Sequence, residues 1–65
     1  METVTNLKPR LLTIPQAAAY SGESRAMLYK EKKLGNITFV KMAGSTRVEL
    51  DELDRYINAK IQNAA

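Results

Sequence analysis

Sixty-five residues, a net charge of +3 and the absence of both cysteine and histidine bound this chain to one small domain whose core is marginal for its size. A disulfide framework, a thiolate zinc site and an imidazole general base are therefore excluded, and no cofactor is expected. No apolar run approaches the roughly 18 residues of a membrane span, and Met1-Glu2-Thr3-Val4-Thr5-Asn6 lacks a basic stretch followed by an apolar one, so a cytoplasmic chain without membrane contact is expected.

Residues 1–10 are polar, aperiodic and end in Lys8-Pro9-Arg10, which predicts a flexible N-terminal arm ahead of a single domain over residues 11–63. Thr13 is placed to cap a first helix over about Ile14 to Tyr20, with Gln16 completing a capping box and Pro15 in the first turn, where a missing N–H costs little. Ser21-Gly22-Glu23 breaks the pattern. Ser24 then offers a second cap hydroxyl directly before Arg25-Ala26-Met27-Leu28-Tyr29-Lys30, predicting a second helix from about Arg25 to Lys33. Two helices meeting across so short a break make a helix-turn-helix, with Ala17, Ala18 and Leu28 as the expected contacts between them.

Leu34-Gly35-Asn36 closes the second helix, because Gly and Asn tolerate the left-handed backbone found there. Ile37-Thr38-Phe39-Val40-Lys41-Met42 is rich in β-branched and aromatic residues, and Thr46-Arg47-Val48 reads as its return strand around Ala43-Gly44-Ser45. Asp51 offers an N-cap to a third helix, with Glu52 and Asp54 at the positive end of its dipole. Leu53, Tyr56, Ile57 and Ile61 give that helix an apolar face, and Asn63-Ala64-Ala65 are expected to fray. The fold class is thus mainly α with a small β-hairpin, in the order of a winged helix-turn-helix.

Charge is spread unevenly. In residues 1–23 Lys8 and Arg10 balance Glu2 and Glu23, whereas residues 24–47 carry Arg25, Lys30, Lys32, Lys33, Lys41 and Arg47 against Glu31 alone, a net +5. Residues 48–65 are acidic, at −2. A basic centre on the second helix and hairpin is the electrostatic footprint of a polyanion binder, although a charge run by itself also fits a merely solvated face.

In order and spacing, Leu12-Thr13, Ala17-Ala18, Gly22, Ser24-Arg25, Leu28-Tyr29-Lys30, Gly35, Val40-Lys41, Gly44, Arg47-Val48, Leu53 and Tyr56-Ile57 resemble the small excisionase-like and AlpA-like DNA-binding domains, winged relatives of the MerR-type regulators. The resemblance covers about Leu11 to Ile57. It implies that the second helix enters the major groove through Ser24, Arg25, Met27 and Lys30, and that the wing contacts DNA through Lys41, Ser45, Thr46 and Arg47. The chain departs from the family pattern at Glu23, at Glu31 and Lys32, and at Ala43-Gly44-Ser45, which makes the wing less basic and leaves more of its contact to Arg47.

Arginine's fork suits a guanine edge, and Arg25 sits where recognition helices touch bases. Lys30 and Lys33, one turn apart, suit phosphates. Met27 is either core filler or a contact to a thymine methyl. Tyr29 is expected in the core, packed against the wing, or reaching a phosphate with its hydroxyl, and Phe39 and Tyr56 are expected to sit in the core. Asp51, Glu52 and Asp54 are explained by the helix dipole, so neither a metal site nor a catalytic one is expected and the chain is not read as an enzyme. The expectation is a double-stranded DNA binder associated with the nucleoid, resembling a phage or integrative-element excisionase, a recombination directionality factor. Such a protein bends DNA and turns an integrase, a tyrosine or serine recombinase, toward excision. Cooperative self-association on DNA is expected, with Glu49, Glu52, Arg55 and Lys60 as a partner surface. An AlpA-like transcriptional regulator and a small protein-interaction module remain as alternatives.

Overall fold

The computed structural model describes residues 9–64. In chain order the elements are β1 (Leu11–Thr13), α1 (Ile14–Ser21), α2 (Arg25–Lys33), β2 (Val40–Met42), β3 (Ser45–Glu49) and α3 (Leu50–Ala64). The three strands form one antiparallel sheet in the order β1-β3-β2, so the fold is a small mixed α and β domain rather than a mainly α one with a hairpin.

Local chemistry sets the helix boundaries. Thr13 Oγ1 accepts from the Gln16 amide at 3.2 Å while Gln16 Oε1 accepts from the Thr13 amide at 2.9 Å, a reciprocal cap that uses two donors the first turn would leave unbonded. Gly22 ends α1 at φ 78°, its N–H donating to Ala18 O at 2.9 Å. Two residues later Ser24 Oγ accepts from the Met27 amide at 3.1 Å and starts α2. That helix closes where the Asn36 amide reaches back to Glu31 O at 2.9 Å, past Gly35 at φ 85°.

The core lies where the helices cover the sheet. Leu12, Ile14, Ala17, Leu28, Ile37, Val48, Leu53 and Tyr56 are buried together, with Ala18, Phe39, Leu50 and Ile57 half-buried against them. Ala17, Leu28, Val48 and Leu53 have no exposed surface, which is how one small side chain in α1 lets α2 approach closely.

Several sequence-based boundaries move. Of the expected arm, residues 1–8 lie outside the described residues, but Arg10 is held: its carbonyl accepts from the Leu50 amide at 2.8 Å and its guanidinium meets Glu49 at 3.2 Å. Leu11–Thr13 then pair with Arg47–Glu49 as a third strand. A three-residue strand has too few residues to show alternation, so only its partner reveals it. β2 begins at Val40 rather than Ile37, because Ile37 is drawn into the core at 3% exposure. α3 starts at Leu50, placing Asp51 inside the first turn instead of at the cap, and continues through Asn63 and Ala64, where fraying was expected. Ile61, assigned to the apolar face, is 62% exposed.

Candidate nucleic-acid interface

Pairing among the described residues sorts the charges. The ion pairs are Arg10 with Glu49, Arg55 with Glu52 and Lys60 with Glu31, and none uses Arg25, Lys30, Lys32, Lys33, Lys41 or Arg47. Glu23 accepts from the Tyr56 hydroxyl at 2.6 Å, and Asp54 from the Tyr20 hydroxyl at 2.7 Å. Glu31, the single carboxylate within the basic stretch, is 6% exposed and turned away from it, 3.2 Å from Lys60 Nζ and 2.8 Å from Asn36 Nδ2. Its carboxyl is held below the usual carboxylate range chiefly by the Asn36 and Lys60 hydrogen bonds. Arg25, Lys30, Lys32, Lys33 and Lys41 are therefore exposed and Arg47 half-buried, none of them ion-paired with the one carboxylate that sequence counting set against them.

A helical repeat of about 3.6 residues distributes the α2 side chains around the buried pair Leu28 and Glu31. Ala26 and Lys33 lie farthest from that pair, Arg25, Tyr29 and Lys32 share the flank toward the hairpin, and Lys30 lies on the other flank. Met27, 38% exposed, falls on the flank opposite the hairpin, one turn before Lys30. Ser24 is exposed, and its Oγ accepts the Met27 amide as the α2 cap, which leaves the hydroxyl hydrogen free to donate outward.

The hairpin has two sides, and strand alternation divides the four expected contacts between them. Lys41 pairs with Thr46, in step with buried Val48, on the side of α2; Val40 pairs with Arg47 and Met42 with Ser45 on the outer side. Arg47 donates from Nη1 to Thr46 O at 3.1 Å and shares the outer face with Thr13. Lys41 and Thr46 instead join Tyr29, Lys32, Phe39 and Val40 around a groove of about 270 Å³ between α2 and the hairpin. Tyr29 meets Phe39 edge to face at 5.4 Å and is 49% exposed, so it packs on the hairpin without entering the core. Lys32 was absent from the expected contacts. The signal that places it is its spacing from Arg25 and Tyr29, visible only once the inward side of the helix is known.

α3 fixes the spacing between α2 and the hairpin. Glu52 accepts from the Thr38 amide at 2.9 Å, and Arg55 donates to Glu52 and to Asn36 O, each bond between 2.8 and 2.9 Å. The Arg55 guanidinium, and then the Thr38 amide, hold the Glu52 carboxyl below its ordinary value against the opposing effect of burial. Glu49, Glu52, Arg55 and Lys60, expected as a partner surface, are thus each bonded within the chain and tie its elements together. Among the described residues no group of three or more acidic side chains is placed to hold a metal, and no helix is long and apolar enough to cross a membrane. No protein-family model, curated protein or solved structure matches this chain.

Proposed function

We propose that the chain is a sequence-specific, non-enzymatic binder of double-stranded DNA, built as a winged helix-turn-helix, and that it acts as an excisionase-type recombination directionality factor. One observation carries the DNA reading: six cations on α2 and the hairpin have no carboxylate partner among the described residues, while Glu23, Glu31, Glu49, Glu52 and Asp54 are bonded elsewhere. Unpaired cations on adjoining surfaces of α2 and the hairpin are what phosphate neutralisation requires, since each phosphate met releases condensed counterions. In this docking Arg25 reads a base edge, Lys30 and Lys33 meet the backbone beside it, and Arg47 with Ser45 reaches the neighbouring groove from the outer hairpin face. The excisionase role rests on the resemblance described above.

Selection of bound sites from a random duplex library, followed by a salt titration of the best site, tests both parts. If four to six cations meet phosphates, the log–log slope of affinity against salt is about −4 to −5, and an enriched motif emerges. A flat salt response would remove the DNA reading and favour a protein-interaction module, and an unenriched library would remove its sequence specificity.

A further inference from the structure

We propose that the groove between α2 and the hairpin is a seat for a single backbone phosphodiester, gripped from two elements by Lys32 and Lys41. This deepens the DNA reading above and rests on it. The groove is lined by Tyr29, Lys32, Phe39, Val40, Lys41 and Thr46. Two lysines line one recess with no ion-pair partner for either among the described residues, and an anion seated between them would offset the repulsion of their like charges. Phe39 supplies a half-buried apolar wall, which concentrates the field of those lysines in the recess. Tyr29 and Thr46 add two hydroxyls with no hydrogen-bond partner among the described residues, and the Tyr29 ring is steadied edge-on against Phe39.

Lysine is suited to this task. A compact ammonium binds phosphate as a point charge and has no need of the planar register that an arginine fork requires. The walls are also set before any ligand arrives, because Glu52 and Arg55 of α3 hold the segment at Asn36 and Thr38 that joins α2 to β2. The phosphate therefore registers α2 against the hairpin on the duplex and carries no sequence information of its own.

The sharing of one phosphate has a measurable signature. Lys32→Gln and Lys41→Gln, alone and together, are compared with the wild-type protein on the selected duplex and on an unrelated one. The salt slope counts phosphates neutralised, at about 0.9 per phosphate, so each single variant is expected to lose about one unit of slope equally on both duplexes. The double variant is expected to lose about one unit as well. Loss of about two units would assign the lysines to separate phosphates, and no loss would leave the groove empty on DNA; either result overturns the seat while leaving DNA binding intact. Duplexes with single neutral methylphosphonate linkages give a second readout: one linkage weakens the wild-type protein and has no further effect on the double variant. Both lysines are exposed, and unchanged thermal melting confirms that the variants fold. Failure of the wild-type protein to bind any duplex would sink the DNA reading itself. Inorganic phosphate that shifted the amide resonances of Tyr29, Lys32, Lys41 and Thr46 in that circumstance would reassign the groove to free phosphate.

Discussion

Glu31 is the residue whose sequence context is most misleading. It stands between Lys30 and Lys32 in a helix that ends in three lysines, yet its side chain is buried and bonded to Lys60 and Asn36. Both it and Glu52 stay ionised in the fold to lower pH than in the unfolded chain, where such carboxyls titrate near 4.5. Their contribution to stability is complete above that value and is lost as pH falls through the depressed folded-state values. Melting curves taken from about pH 3 to pH 7 are expected to show Glu31→Gln less stable than wild type at neutral pH, with a shallower acid limb; superimposable acid limbs would refute the ion pair's role. Arg25 acts at the same scale and on a different observable. Arg25→Ala is expected to cost about 1–3 kcal/mol at the selected site and to relax preference at one base position, whereas Lys33→Ala weakens all duplexes alike. Equal, sequence-independent losses for the two variants would contradict the docking.

At the scale of elements, the hairpin turns on two residues. Ala43 and Gly44 sit at φ 52° and φ 80° between the paired Met42 and Ser45, so both central positions are left-handed. Turns of that hand match the twist of the flanking strands and favour Asn-Gly, and an alanine is strained there because its Cβ crowds the following carbonyl. Ala43→Asn is therefore expected to stabilise the domain by about 1 kcal/mol, raising Tm by about 4–8 °C. Calorimetry showing no change or a decrease would place the strain elsewhere. The α1 and α2 boundaries were legible in Thr13, Gln16, Gly22 and Ser24, because caps and left-handed stops are chemistry between near neighbours in sequence. β1 was not legible, since Leu11–Thr13 becomes a strand only when Arg47–Glu49 arrives beside it. The same holds for the start of α3. Its first turn is placed by the Leu50 amide bonding to Arg10 O, a contact across the sheet that no local signal at Asp51 could announce.

For the whole molecule, size limits what one copy does on DNA. A single small module buries about 600–1,000 Å² against a duplex, so specific occupancy calls for adjacent copies on repeated sites or an integrase alongside. Cooperative binding to tandem sites is expected, with a bend seen as position-dependent mobility in a permuted-site gel. Excision should rise relative to integration when an integrase and its attachment DNA are supplied. Binding to one isolated straight site, with altered transcription and no recombinase dependence, would replace the excisionase reading with the AlpA-like regulator. Glu49, Arg55 and Lys60 stay partly exposed while ion-paired within the chain, so a partner meeting this surface would meet pairs and not free charges.

By itself the sequence determined where two helices begin and end, that the chain turns back within Ala43-Gly44-Ser45, and that its middle third is basic. Each of these depends on residues within a few positions of one another, or on simple counting. Only the tertiary structure decided that Glu31 leaves the basic surface, that Lys41 and Thr46 face α2 while Arg47 and Ser45 face away, and that Lys32 joins a groove with them. The reason is geometric. Which side of a helix or strand is inward depends on what packs against it, and the packing partners of α2 and the hairpin lie in Leu12, Leu53, Tyr56 and Lys60, far away along the chain.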